Sequence, residues 1–347
     1  MSLALAAAVA HGQTNIRTET QTASPPLTQA QVQEIDTFIA HWLDALNAAQ
    51  RRDDVGSARN RLISMAQLPG ASGAFRDAYV RAMVAQASPM IEDADLKVRL
   101  NVMVTMARAK HVDSLDLARE LLDDPVPAVR YWAAKTIDEV VLALPGGPDD
   151  LEAARREVLL TALRAAAADE DDESVLAQLL QAMASLGALD ELIEVLDRRL
   201  TLHVADTELL YLPEREAMQR LYVRLVAEIA GGQQFAMEES ILELTRVSSL
   251  YFKLATTQLA EAEAMQAELI DDKSQMITQS DVVLRWGANQ LDQGMITPPP
   301  IATAVRAQEW EAIAAQLDFW RRELSQSPFL FDDEQLELPE PGDEDTP

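Results

Sequence analysis

One pattern constrains this chain more than any other. An acidic residue is followed five positions later by a small or branched apolar residue, which starts an apolar stripe at i, i+4 and i+8. The pattern occurs four times: Asp53 with Ala58, Leu62 and Ala66; Asp93 with Val98, Val102 and Met106; Asp124 with Val129, Ala133 and Ile137; and Glu170 with Val175, Leu179 and Met183. Positions four apart stack on one face of an α-helix, so each copy predicts a helix with one buried side. A helix of that kind cannot hide its apolar face alone. Recurrence at intervals of roughly 30 to 45 residues is the signature of helix pairs that stack on one another.

The third copy is the most complete. Asp124 and Pro125 suit a tight turn, and Pro127 suits the first helical turn, where a missing N–H costs nothing. An arginine follows the first apolar residue in three copies (Arg59, Arg99 and Arg130), and Leu176 replaces it in the fourth. On these residues the segment 35–200 resembles the HEAT-repeat family of α-solenoids. The resemblance implies a binding scaffold, and it implies that Asp93, Arg99, Asp124 and Arg130 form a ladder between neighbouring repeats. It also allows a rarer outcome, since HEAT-like arrays occasionally carry enzymes with clustered His and carboxylates in a groove.

The expected fold is all-α: a HEAT-like solenoid over residues 29–204, then a non-repeat helical region over 205–325 with a long helical hairpin and a capping helix. Helices are expected at 29–50, 57–68, 74–87, 95–110, 113–123, 127–143, 149–168, 173–186 and 188–201. Ser88 and Pro89 should end the third, and Pro145 to Pro148 should make a firm break. Beyond Asp206 the motif disappears. Helix 213–230 stops at Gly231 and Gly232, residues 235–270 contain no breaker, and further helices are expected at about 274–292 and 301–325. From Asp332 onward there are eight acidic residues, no basic one and three prolines, which predicts a disordered acidic tail over 326–347.

At the other end, residues 2–10 are apolar and Ala-rich, and Ala8-Val9-Ala10 fits a small-x-small cleavage site. This predicts a signal peptide over about 1–12, without the usual basic start, followed by a flexible linker over 13–28. Export to a periplasm or secretion is the expected fate, and a cytoplasmic chain with an Ala-rich first turn is the alternative.

Charge narrows the partners. The formal net charge is −28. A chain so acidic repels phosphate backbones and anionic lipid surfaces, which disfavours nucleic acid and membrane-surface binding. The absence of cysteine excludes disulfides, thiolate metal sites and cysteine nucleophiles.

The sequence carries no recognised motif for catalysis or a cofactor. The acidic run Asp169 to Glu173 lacks the glycine and terminal glutamate of a calcium loop and suits a solvated turn. The four histidines, His11, His41, His111 and His203, never stand at zinc-helix spacing. Gly146-Gly147 and Gly231-Gly232 lack the flanking residues of a phosphate loop. No catalytic residue, metal or cofactor is therefore expected. The expected function is a non-catalytic scaffold or adaptor for a protein partner, with Arg59, Tyr131 and Trp132 as its candidate surface. Tyr131 and Trp132 are bulky where the matched helix is usually small or polar; inter-repeat packing is the plainer role for them. Two alternatives remain open. One is an enzyme or enzyme subunit, which would need His111 and His203 to share a pocket. The other is a structural protein that self-associates through its C-terminal helices.

Overall fold

The computed structural model describes residues 15–91, 95–168, 170–261, 266–292 and 297–339. Among these residues there are fifteen α-helices and no strand. The chain divides into two compact units, residues 1–170 and 171–347.

The first unit contains α1 (Thr18–Gln21), α2 (Gln29–Ala48), α3 (Arg52–Ala66), α4 (Gly73–Ile91), α5 (Leu96–Ala109), α6 (Leu115–Glu120), α7 (Pro127–Ala143) and α8 (Ala153–Ala168). Two rows result. The motif helices pack in sequence, α3 on α5 and α5 on α7; α2 packs on α4 in the second row, and α6 packs on α8. Each row covers the apolar flank of the other. The stripe Val98, Val102 and Met106 is at most 2% exposed, as are Val129, Ala133 and Ile137. Full burial of such a side chain contributes roughly 1.5–3 kcal/mol, so the recurring stripe forms the core of this unit.

Local chemistry sets the helix ends. Thr28 starts α2 with a reciprocal capping box: its Oγ1 accepts from Gln31 N at 3.3 Å, and Gln31 Oε1 accepts from Thr28 N at 2.8 Å. Asp95 caps α5 by accepting from Lys97 N, and Pro127 opens α7. One expected stop failed. Helix α4 runs past Ser88 and Pro89 to Ile91. Proline this close to a helix end removes only one intrahelical bond, and burial of Ala87 and Ile91 holds the last turn.

The expected linker over 13–28 is corrected from residue 15 onward. Ile16 is 4% exposed, and α1 is fastened to α2 through the buried Glu34. That carboxylate accepts from Arg17 N at 2.8 Å, from the Arg17 guanidinium, and from Thr20 Oγ1 at 2.6 Å. Composition alone marked this segment as a linker; a single buried acid on the next helix provides its anchor.

The second unit contains α9 (Glu173–Ser185), α10 (Leu189–Ala205), α11 (Leu212–Ala230), α12 (Glu238–Glu261), α13 (Ala267–Leu291), α14 (Ala302–Ala307) and α15 (Trp310–Leu324). It too has two rows: α9 packs on α11 and α11 on α13, while α10 packs on α12 and α12 on α15. Alternating helix pairs thus continue beyond Asp206, although the motif does not. The hairpin of α12 and α13 is present, but α12 ends at Glu261 and α13 begins at Ala267, both inside the stretch 235–270 that contains no sequence breaker. The expected single helix over 301–325 is instead two, broken at Gln308, which adopts a left-handed conformation at φ 55°.

The expected disordered tail is also corrected over 326–339. Phe329, Phe331 and Leu336 are buried, and Lys253 Nζ donates to Leu336 O and Glu337 Oε2. Phe329 and Phe331, just before the acidic run, and Leu336 within it supply the contacts that net charge conceals. The signal peptide expected over 1–12, and residues 340–347, lie outside the described residues.

Candidate functional site: a groove across the motif helices

The arginines of the motif face two environments. Arg99 Nη1 is 2.9 Å from Asp124 Oδ2, which joins the second motif copy to the third. Arg130 makes a two-pronged pair with Glu170, the acid of the fourth copy, with Nε to Oε2 and Nη2 to Oε1 both at 2.7 Å. Its Nη1 also donates to the Asp124 carbonyl at 2.9 Å. Asp93 lies outside the described residues. Arg59, at the equivalent position of the first copy, donates instead from Nη1 to Asn101 Oδ1 at 3.2 Å.

Arg59 belongs to a groove of about 910 Å³ that crosses the outer face of α3, α5 and α7. Residues on the helix faces turned away from the buried stripes line it. Arg52, Arg59, Asn60 and Ile63 come from α3, Asn101, Val104 and Arg108 from α5, and Trp132 from α7. Gly56 forms part of the floor, and a side chain there would meet nothing within 4 Å. Apolar walls with a few polar groups are the usual make-up of a binding cleft.

The groove brings together two of the three residues expected to form a partner surface, Arg59 and Trp132. Tyr131 is not in its lining. It stands edge-on to Trp132 with ring centroids 5.9 Å apart, and Lys135 Nζ lies 5.9 Å from its own ring. Adjacent helical residues point about 100° apart, so the pair cannot both face one groove. Asn60, Asn101 and Arg108 escaped notice in the sequence because polar residues on the outer face of a helix carry no periodic signal of their own.

The histidines are held locally. His111 Nε2 lies 3.1 Å from Asp77 Oδ1 in the first unit, and exposed His41 stands edge-on to Trp42. His203, in the second unit, is fully buried. It stacks on Tyr211 at 4.1 Å, and its Nε2 is 3.1 Å from Glu214 Oε1. Arg199 Nε donates to the same oxygen. Burial alone would raise the Glu214 carboxyl, but its contacts with His203 and Arg199 outweigh burial and hold it below its ordinary value. Next to this cluster, Asp272 accepts from Tyr211 N at 2.6 Å and Arg215 Nη1 at 3.0 Å. These charges join α10, α11 and α13 within the core of the unit. A second, polar cleft of about 540 Å³ in this unit is lined by Arg215, Glu216, Gln219, Ser274, Thr278 and Arg306, among others. Among the described residues, no group of three or more His, Cys, Asp or Glu is placed to hold a metal ion, and no helix is long and apolar enough to cross a membrane.

No protein-family model matches the chain, and no curated protein matches it. Among solved structures, the chain is similar to the crystal structure of Kap121p at 12% identity and a TM-score of 0.40, over 89% of this chain and 35% of that one. The chain thus spans about a third of the length of that protein.

Proposed function

We propose that the protein is a non-catalytic helical scaffold that binds a protein partner along the groove across α3, α5 and α7. The observation that carries this reading is the groove itself. It crosses three successive motif helices and exposes part of Trp132, an aromatic of the kind that anchors interfaces. Neighbouring helices pack about 8–10 Å apart, so three of them offer a track of roughly 20 Å, which about six residues of extended chain would span. The paired arginines Arg99 and Arg130 have a different role in this reading: they hold one repeat to the next and leave the groove to the outer face. We further propose export of the mature chain, on the strength of the apolar segment 2–10 and its Ala8-Val9-Ala10 site; N-terminal sequencing of the protein purified from its source tests that.

A photo-crosslinking residue at Asn60, in the groove, tests the scaffold reading against one at the exposed Glu120. Adducts should form from position 60 and not from 120, and Gly56→Trp, which fills an open part of the floor, should abolish them. Equal adducts from both positions, or adducts indifferent to Gly56→Trp, would overturn the reading.

A further inference from the structure

We infer that the groove takes an acidic segment: an extended peptide rich in aspartate or glutamate, with an apolar side chain laid against Ile63 and Trp132. This rests on the reading of the groove as a protein-binding surface and names the chemistry of its occupant.

The argument starts from how the rest of the chain uses its arginines. Acidic residues number 57 against 29 lysines and arginines. With two carboxylates for every cation, an arginine side chain has carboxylates close by almost anywhere on the surface. Many take one: Arg99, Arg130, Arg155, Arg199, Arg215 and Arg246 are all paired. Others, such as Arg51, Arg61, Arg76 and Arg306, make none among the described residues, and neither do Arg52, Arg59 and Arg108; these last three are set apart by standing together in one groove. Arg59 Nε is moreover buried without a hydrogen-bond partner, even though Nη1 of the same guanidinium is engaged by Asn101. A buried guanidinium N–H left unmatched is costly, and a carboxylate beside the rest of that guanidinium would compensate its charge.

The lining contains one acid, Asp53, against these three arginines. The lining of the groove thus carries an excess of positive charge on a protein of net charge −28. That contrast sets specificity as well as attraction. An acidic segment is favoured only where the arginines stand and is repelled by the surface elsewhere, which fixes both site and register. A basic segment would meet unmatched guanidinium groups in the groove and would find carboxylates everywhere else.

Fluorescence anisotropy with defined probes tests this on the full chain. The probes are a labelled hexapeptide of five glutamates and one leucine, its lysine counterpart, and a short oligothymidylate. The glutamate peptide should bind best, and should weaken as salt rises. Replacing both Arg59→Gln and Arg108→Gln should reduce its affinity roughly tenfold or more, since each removes a charge-assisted contact. Arg61→Gln, on the same helix but outside the groove lining, should leave it unchanged. Thermal melts establish that each variant is folded; if the double variant is not, Gly56→Trp blocks the groove without touching a charge and should abolish binding. Preference for the lysine peptide or the oligonucleotide, or equal losses from Arg61→Gln and from the groove pair, would overturn the inference. Position-60 adducts that persist while the glutamate peptide fails to bind would sink the acidic occupant and leave the scaffold standing. The reverse result, arginine-dependent peptide binding without adducts, would support the acidic ligand and sink the scaffold.

Discussion

Asp124 is held by Arg99 from the preceding motif copy, 2.9 Å away, with its carboxylate only 2% exposed. The same side chain closes the turn that leads into α7, since its Oδ1 accepts from Val126 N at 2.8 Å. One residue therefore joins a local turn to a long-range stack. Its carbonyl adds a third link through Arg130. Replacing Asp124→Ala removes that turn bond and strands a half-buried Arg99. The expected loss is about 2–4 kcal/mol, combining a lost turn hydrogen bond with a broken, partly buried ion pair. Urea unfolding measures it. Asp124→Asn, which retains an acceptor for Val126 N, should lose clearly less. Equal losses would mean that the bond to Val126 N contributes nothing.

A glycine on α13 sets how closely the hairpin closes. A Cβ at Gly287 would collide with Thr245 Oγ1 of α12 and lie 3.3 Å from Thr245 Cβ. That hydroxyl is not free to swing away without cost, because it donates to Ile241 O at 2.6 Å inside the core. In an exposed helix, glycine to alanine stabilises by up to about 1 kcal/mol. Here overpacking dominates, and Gly287→Ala should destabilise by about 1–3 kcal/mol. The pair Gly287→Ala with Thr245→Ala should recover much of that loss. A double-mutant cycle in denaturant measures the coupling, and simple additivity of the two changes would refute the close approach.

The chain's regular parts were legible because their signals are local and periodic. Helix α7 spans 127–143 as expected: Pro127 starts it, and Val129, Ala133 and Ile137 fix its buried side. The α12–α13 hairpin was visible for the same reason. Errors fell where one long-range contact decides. Nothing in residues 15–28 announces that Glu34 will hold Arg17 and Thr20, and the acidic run from Asp332 onward draws attention away from Phe329, Phe331 and Leu336, which pack inward. The break at Gln308 rests on a single left-handed residue with no glycine to advertise it. In the groove, Arg59 and Trp132 stood out as residue types, whereas Asn101 and Arg108 become partners only once α3, α5 and α7 lie side by side.

Acid should weaken the second unit through Glu214. Its folded carboxyl sits below the ordinary 4.5, so the ionised form is the one that folding favours. For an acid shifted down, the stabilisation is complete above its unfolded value and disappears as pH falls through the folded value. Stability should therefore hold above about pH 4.5 and decline below it. Glu214→Gln removes this contribution. The variant should be less stable at neutral pH, and its stability should fall less steeply between neutral pH and strong acid. Denaturation midpoints collected over that range decide the matter, and parallel curves for the two proteins would exclude Glu214 as a source of the acid loss.

The N-terminal arm offers a test that reads a single bond network. Arg17 is 62% exposed along its side chain, so a protease has access to it. Cleavage, however, needs several residues of extended backbone, and here the backbone N–H of Arg17 is bound to Glu34 Oε1 while Ile16 is buried. Trypsin should therefore cut the native protein slowly after Arg17. Glu34→Ala removes every acceptor that holds Arg17 and Thr20 to α2. The arm would then be left with burial of Ile16 and the bond from Ser72 N to Gln21 O at 2.9 Å. Cleavage after Arg17 should accelerate by at least about tenfold, because losing roughly 1.5–3 kcal/mol of charge-assisted bonding raises the open population by that factor or more. Cleavage at Arg61, on the fully formed α3, should change little. If both sites accelerate together, Glu34 supports the unit as a whole; if neither does, the arm is held by its remaining contacts, Ile16 and the Ser72–Gln21 bond among them, without need of Glu34.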